Sequence, residues 1–291
     1  MLGVLCGTGA AFCFAAGFVT ARHGISAGLD PVDIALHRFV WAGIAMLPAA
    51  LRNGFAELRA IGWGRALILT VVAGPLQAAL SYTGFTLVPL GHGVVIQPAS
   101  SRLAGMILAI LVLREPTTTR RMFGAAAIVL GLGVFGGEAV ATIGAHGVAG
   151  DLMFLIAGIA WGLFGVLLRQ WRIAGTRAAI VICVLSLLLY APAHGLIHGY
   201  GRLVAVGLAE NLIQALAQGL LAGLLGIYLF GRAVTLLGAS RASTFPALVP
   251  GFGIAIGFLV LGEVPSSYQL LGLAMVAVGF RFALKRAKGD Q

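Results

Sequence analysis

The feature of this sequence that most limits its fold is a succession of ten apolar stretches, each close to the length of a membrane-spanning helix. They cover residues 3–21, 34–51, 66–86, 93–113, 122–138, 150–168, 178–197, 211–231, 242–261 and 268–284. A helix needs about 20 apolar residues to cross the hydrocarbon core of a bilayer. Since the chain is 60% hydrophobic and only 10% charged, it has too little charge to cover a soluble fold. We therefore predict an all-α polytopic membrane protein with ten transmembrane helices in a lipid bilayer.

The basic residues of the connections indicate the orientation of these helices. With the N-terminus in the cytoplasm, 15 of the 19 Arg and Lys residues fall in cytoplasmic connections and the C-terminal tail, and only Arg22 and Arg202 fall outside. Basic residues collect on the cytoplasmic side of membrane proteins. We expect a multi-pass protein of the cytoplasmic (inner) membrane with both termini inside. The net charge of +10 then belongs to these connections and gives no reason to expect nucleic-acid binding.

An internal repeat divides the chain into two halves. Residues 111–131 read LVLREPTTTRRMFGAAAIVLG and residues 259–279 read LVLGEVPSSYQLLGLAMVAVG, so that Glu115 matches Glu263, 148 positions later. Two pairs of glycines and the prolines Pro98 and Pro246 match at the same offset. Because each half holds five helices, an odd number, the halves enter the membrane in opposite directions. We predict an N-terminal five-helix repeat at 1–143 and an inverted C-terminal repeat at 144–291.

The ten helices, the five-helix duplication and the Leu-Gly-Glu or Leu-Arg-Glu helix end with Gly nine residues later resemble the EamA branch of the drug/metabolite transporter superfamily. The resemblance covers essentially the whole chain, and the size and layout are similar to YddG-type amino-acid exporters. Arg114 departs from the motif, which usually has a small residue there. The resemblance implies a secondary transporter that exports small metabolites, amino acids above all, by alternating access, works as a monomer and needs no cofactor.

Arg102 is the residue that we single out first for substrate binding. It lies about 9 residues into the fourth apolar stretch, near the membrane midplane at about 1.5 Å per residue. A guanidinium at that depth requires an anion, backbone carbonyls or water. Arg102 either attracts a carboxylate of the substrate or hydrogen-bonds to carbonyls exposed at Pro98, and the sequence favours neither. Gln97 and Ser101 share one helix face near it, and Pro98 permits a bend.

Other polar and aromatic residues inside the stretches complete the predicted site. The substrate-binding candidates are Gln77, Tyr82, Trp161, Tyr190 and Ser243, and the gating candidates are Pro98, Pro246 and Pro250. Trp161 between glycines is as typical of helix packing as of a pocket wall. We expect Arg38, about one turn inside the outer edge, to snorkel to the headgroups rather than line a vestibule.

The positions of the acidic residues indicate what could drive transport. All nine Asp and Glu residues are expected at helix ends or in connections, so that sodium has no evident site. Either a histidine such as His37 or His92 carries a proton, or the protein is a uniporter, which we favour. His194 and His198 lack further ligands, and we predict no metal site. The alternative function is an intramembrane enzyme acting on a lipid or isoprenoid, which would need a cluster of catalytic groups that the sequence lacks.

Overall fold

The computed structural model describes residues 1–53, 55–88, 90–114, 118–135, 147–261 and 266–284, and almost all of them form helices. Up to residue 135 the helices are α1 (Leu2–Ser26), α2 (Pro31–Arg52), α3 (Ala56–Ile61), α4 (Trp63–Ala73), α5 (Pro75–Leu87), α6 (Leu90–Leu113) and α7 (Thr119–Phe135). From residue 147 they are α8 (Gly147–Gln170), α9 (Gly175–Ile197), α10 (Gly201–Ala205), α11 (Gly207–Gln214), a π-helical segment (Ala215–Gly226), α12 (Ile227–Leu237), α13 (Ala239–Ala242), a 3-10 turn (Phe245–Leu248), α14 (Val249–Leu261) and α15 (Ser267–Leu284).

Seven helical stretches of the described residues are long and apolar enough to cross a membrane. They are Leu2–Ser26, Pro31–Arg52, Trp63–Leu87, His92–Leu113, Val148–Gln170, Gly175–Ile197 and Gly207–Leu237. Three shorter apolar stretches are Met122–Val134, Phe245–Ile256 and Leu270–Gly279. The predicted helical, multi-pass architecture is confirmed, whereas the count of ten spans and the inverted repeat stay predictions. The predicted boundary at 143/144 and the matched Glu115 and Glu263 lie outside the described residues.

The second membrane helix begins one turn earlier than hydropathy predicts. Asp30 precedes α2 in an extended conformation, Pro31 is its first residue, and the Asp33 carboxylate accepts a hydrogen bond from the Asp30 backbone N–H at 3.0 Å. This capping arrangement and a proline at the first position are typical of helix starts. Asp33 lies at a helix end, as expected, and its side chain is buried in the first turn of α2. Arg38 is consequently about 10 Å along the axis from Pro31.

The third apolar stretch is broken in the middle. Gly74 is extended (φ −103°, ψ −152°) between α4 and α5, and Pro75 begins α5. Proline has no N–H to continue the hydrogen-bond ladder of α4, so a new helix starts here. Residues Gln77 to Tyr82 lie just beyond this break, and its position determines where their side chains point.

The prolines of the fourth and ninth stretches differ in their effect on the backbone. Helix α6 continues through Pro98. Pro246, in contrast, lies in the 3-10 turn that precedes α14, and Pro250 is the second residue of that helix. The eighth stretch contains a further irregularity, the 12-residue π-helical segment. Helices of this kind are rare in proteins as a whole, and those that occur are frequently found at functional sites.

Close helix contacts are made through glycines. A Cβ atom added to Gly131 of α7 would lie 2.8 Å from the Gly272 carbonyl oxygen of α15, and one added to Gly279 of α15 would lie 2.7 Å from the Gly124 carbonyl oxygen of α7. These are the two glycine pairs that match in the sequence repeat. Small residues allow membrane helices to approach closely, and here each helix presents the same pair of glycines to the other.

Several other helix contacts occur in matching pairs. Helix α6 packs on α8 while α14 packs on α1, and α2 packs on the π-helical segment while α9 packs on α4. Helices α2 and α9 pack on each other, and Gly43 makes this possible because a Cβ there would lie 2.6 Å from the Cys183 carbonyl oxygen. Helices from both ends of the chain therefore alternate around the centre of the molecule.

Candidate functional site

A small cavity of about 40 Å³ lies among the helices at the centre of the bundle. Its lining comes from α1, α2, α5 and α6 in the first part of the chain and from α8, the 3-10 turn and α14 in the second. The lining residues are Phe14, Phe18, Arg38, Gln77, Ala78, Ser81, Tyr82, Gln97, Pro98, Ser101, Trp161, Pro246 and Val249.

The polar part of the lining comes from α5 and α6. Ser81 donates a hydrogen bond to Gln97 Oε1 at 2.6 Å, and Gln77 donates to the Ala157 carbonyl oxygen at 3.2 Å. The Ser101 hydroxyl has no hydrogen-bond partner among the described residues. The predicted shared face of Gln97 and Ser101 is thus found at the cavity, and Ser101 retains an unused hydroxyl there.

An aromatic wall faces these polar groups. The rings of Phe14 and Trp161 meet edge to face with centroids 5.2 Å apart, and Trp161 also contacts Phe164 and Phe230. Trp161 is 6% exposed and lines the cavity, so it serves both in packing and as a wall. Rings in this arrangement give an apolar surface that accepts the hydrocarbon part of a ligand.

Arg38 is the charged group of the cavity. Its Nη1 donates to the Tyr82 hydroxyl at 2.8 Å, its Nε has no hydrogen-bond partner among the described residues, and its guanidinium lies 5.6 Å from the Phe14 ring centroid. None of the described residues that line the cavity is an Asp or Glu. The expectation that Arg38 snorkels to the headgroups was wrong, because the side chain is buried. A buried cation without a counter-ion is costly to maintain, which favours a role in binding an anionic group.

Arg102 does not line the cavity. It is 1% exposed, and its Nη1 donates to the Ser243 hydroxyl at 3.0 Å, which joins α6 to the chain just before the 3-10 turn. The expectation that Arg102 faces an aqueous pathway is therefore not met in this structure. Ser243 likewise lies beside the cavity, where it is the partner of Arg102 rather than a lining residue.

The other predicted residues divide between the cavity and its surroundings. Gln77, Tyr82, Gln97, Ser101, Trp161, Pro98 and Pro246 line the cavity, whereas Pro250 and Tyr190 do not. The Tyr190 hydroxyl donates to the Val32 carbonyl oxygen at 3.0 Å. Tyr190 thus belongs to a second polar cluster at the start of α2.

That second cluster, which we call the outer network, joins α2 to α9 and α10. The Asp33 carboxylate accepts from His194 Nε2 at 2.8 Å and from Arg202 Nε at 2.7 Å, and Arg202 Nη1 also contacts Asp30 at 2.8 Å. The hydrogen bond from Arg202 to Asp33 raises the pKa of the guanidinium, so Arg202 stays charged. His194 thus pairs with a carboxylate, and the described residues include no cluster that fits a metal ion.

Further polar contacts lie beside the outer network. His37 Nε2 is 3.1 Å from Asn211 Oδ1, and the Trp41 indole N–H donates to His37 Nδ1 at 3.0 Å. Glu210 accepts from Gln214 at 2.8 Å, and His92 Nδ1 is 2.8 Å from Asp151 Oδ1. The carboxylates of Asp33 and Glu210 lie in the first turns of their helices and that of Asp151 lies one turn into α8, so these three acidic residues are at helix ends, where they were expected.

The lining residues that sequence reasoning missed include Phe14, Phe18 and Arg38. The signal for Arg38 was present in Asp30-Pro31, because a cap followed by proline starts the helix early enough to bring Arg38 two turns into it. Phe14 and Phe18 are four residues apart and share a face of α1, but apolar residues on all sides of that helix conceal which face is inward.

Comparisons with known proteins agree on the family and the fold. The model of the EamA-like transporter family matches residues 1–136 and 148–284. A relative from Streptantibioticus cattleyicolor, named a probable terminal-alkyne amino-acid exporter, is 26% identical over 286 residues, which are 94% of this chain and 91% of the relative. A crystal structure with 17% sequence identity matches with a TM-score of 0.72 over 98% of this chain and 99% of its own. That last similarity establishes a shared fold.

Proposed function

Because the chain belongs to the EamA-like transporter family, we propose that it is a secondary transporter that exports amino acids across the cytoplasmic membrane. The observation that carries this proposal is Arg38, a buried cation that lines the central cavity and has no carboxylate partner among the described residues. A guanidinium is well suited to bind the carboxylate that all amino acids share. The name of the relative, an amino-acid exporter, supports the same substrate class.

The residues that line the cavity offer a partner for each part of such a substrate. The carboxylate binds the free side of Arg38, the amino group is received by the amide oxygens of Gln77 or Gln97 or by the Ser101 hydroxyl, and an apolar side chain lies against Phe14 and Trp161. The substrate anion thus binds Arg38, whereas the sequence had indicated Arg102. Arg102 and Ser243 support the cavity from behind, between α6 and the 3-10 turn.

We further propose that the two halves are an inverted repeat and that transport proceeds by alternating access. Three observations support this: the family model matches two successive segments, helix contacts occur in matching pairs, and Gly131 and Gly279 make reciprocal contacts. The cavity lies where helices of both halves meet, which is where such transporters bind their substrates. Pro98 and Pro246 line it from equivalent positions, and together with Pro250 they are proposed to permit the gating movements.

Transport is favoured over the alternative of an intramembrane enzyme by the match to a transporter family. We retain uniport as the proposed mode, because Asp33, the most deeply buried carboxylate of the described residues, already contacts Arg202 and His194 and is not free to bind sodium. The orientation with both termini in the cytoplasm and function as a monomer remain part of the proposal.

The test is counterflow of radiolabelled amino acids into proteoliposomes that contain the purified chain. We expect saturable uptake that a panel of unlabelled amino acids reduces and that amines lacking the carboxylate do not. Arg38→Gln should raise the KM at least about tenfold, since a hydrogen bond to a charged group contributes about 1.5–3 kcal/mol. Arg232→Gln on the exposed surface of α12 is the matched control and should behave as the wild type. Absence of amino-acid uptake by the wild type, or an unchanged KM for Arg38→Gln, would contradict the proposal.

A further inference from the structure

A directed chain of hydrogen bonds leads from Arg38 away from the cavity. Arg38 Nη1 donates to the Tyr82 hydroxyl oxygen, and the Tyr82 hydroxyl donates to Gln218 Oε1, each at 2.8 Å. A guanidinium can only donate hydrogen bonds, so the hydroxyl must accept from Arg38 and give its own hydrogen to Gln218. The direction of both bonds is therefore determined by the charge of Arg38.

Gln218 is held at its other end by α1. Its Nε2 donates to the Gly17 carbonyl oxygen and to Thr20 Oγ1, the latter at 3.1 Å. Both Tyr82 and Gln218 are 0% exposed, so water cannot replace these partners. With the nitrogen bound to α1, the amide has one orientation, in which its oxygen faces Tyr82.

The backbone around Gln218 lies directly against the turn of α2 that carries Arg38. Gly219 and Gly223, in the same π-helical segment, contact Trp41 Cβ and the Arg38 carbonyl oxygen so closely that neither position has room for a Cβ. Gln218 itself is absent from the lining of the cavity. The segment from the second half of the chain thus contacts Arg38 through its backbone and through the Tyr82 hydroxyl.

We propose that Gln218 is a positioning residue, which acts through Tyr82 to hold the Arg38 guanidinium in the orientation that binds the substrate carboxylate. This inference rests on the proposed function. The partners in the chain are neutral: a hydroxyl, an amide and the backbone of α1. They restrict the guanidinium without neutralising it, so its charge remains available to an anion in the cavity.

Gln214 provides the matched comparison for a purely structural role. It lies four residues before Gln218, is also 0% exposed, and its Nε2 donates to the Thr20 carbonyl oxygen at 2.8 Å. Both glutamines therefore connect the same stretch of chain to α1, but only Gln218 bonds to Tyr82. A variant of Gln214 removes the connection to α1 and leaves the chain to Arg38 in place.

The first experiment measures KM and kcat for leucine counterflow in proteoliposomes. Gln218→Leu and Tyr82→Phe should each raise the KM by about tenfold with little change in kcat, because each breaks the chain of hydrogen bonds that orients the charged Arg38. The double variant should be no worse than either single variant, since both break one chain. Gln214→Leu should leave the KM unchanged. Equal effects of Gln214→Leu and Gln218→Leu, or a normal KM for Tyr82→Phe, would overturn the proposal.

The second experiment needs no substrate. The protein is labelled with ¹⁵N-arginine, placed in nanodiscs and studied by NMR, and the Arg38 resonances are assigned from their loss in Arg38→Lys. Arg38 should give separate Nη resonances in the wild type and in Gln214→Leu. The resonances should merge in Tyr82→Phe and Gln218→Leu, as the guanidinium becomes free to rotate, and resonances that stay separate in both would overturn the proposal. If Gln218→Leu does not fold, Tyr82→Phe, which removes one oxygen atom, decides the result. A wild type that takes up no amino acid but shows this pattern refutes the proposed function alone.

Discussion

Replacement of Asp33 by Asn tests whether the buried contacts of the outer network stabilise the fold more than its exposed contacts do. Asn keeps the size of Asp but exchanges one accepting oxygen for an NH₂ group. The carboxylate accepts from His194, from Arg202 and from the Asp30 backbone N–H, so the amide NH₂ either faces a donor or forces His194 to change its tautomer, and in both cases Arg202 loses the Asp33 charge that it pairs with. Because the side chain is 1% exposed, water cannot relieve this conflict. Breaking a buried pair on one side costs about 3–5 kcal/mol.

Asp30→Asn is the matched control for this change. Asp30 contacts the same Arg202 at 2.8 Å, but its side chain is 51% exposed. Exposed ion pairs contribute about 0.2–1 kcal/mol. At roughly 2 °C per kcal/mol for a chain of this length, the unfolding midpoint should fall by about 6–10 °C for Asp33→Asn and by about 2 °C or less for Asp30→Asn.

The native cysteines of the protein allow the unfolding midpoint to be measured. Its cysteines Cys6, Cys13 and Cys183 are free and buried, so a thiol-reactive dye becomes fluorescent as the protein unfolds in detergent. Midpoints that fall equally for the two variants, or further for Asp30→Asn, would refute the view that burial of the Asp33 contacts holds α2 to α9.

Two further changes test the arrangement of the helices. Gly131→Leu should lower the same midpoint strongly, because the new side chain meets the Gly272 carbonyl oxygen of α15, whereas Gly133→Leu should not, since nothing lies within 4 Å of that position; equal midpoints would contradict the packing of α7 on α15. A cysteine added at either terminus of the chain in intact cells should react with a membrane-impermeant reagent only after permeabilisation, and labelling of one terminus from outside would refute the proposed orientation.

The sequence predicted the helices well because hydropathy depends on composition alone. It predicted their ends less well where buried polar groups find partners far along the chain. Asp33 marked a false helix start, since its partners His194 and Arg202 are more than 160 positions away and leave no local signal. As a result, Arg38 was predicted to lie at the membrane edge, whereas it lines the central cavity.

The choice between Arg38 and Arg102 shows a second limit of sequence reasoning. Both lie within apolar helices, and depth in the membrane favoured Arg102. Which arginine faces the cavity depends on the rotation of α2 and α6 about their axes, and α6 is apolar on nearly every side, so its sequence does not define an inner face. The pairing of Arg102 with Ser243, 141 positions later, depends on tertiary structure. Gln97 and Ser101 were correctly predicted together because their spacing is a local property of one helix.

The interruption at Gly74 and Pro75 has a mechanical consequence. The hydrogen-bond ladder restarts there, because the Ala78 N–H donates to the Gly74 carbonyl oxygen. Helices α4 and α5 are therefore two short helices joined by a break in the backbone hydrogen bonds. The cavity wall formed by α5 is thus able to change its tilt while α4 keeps its contacts with α8 and α9.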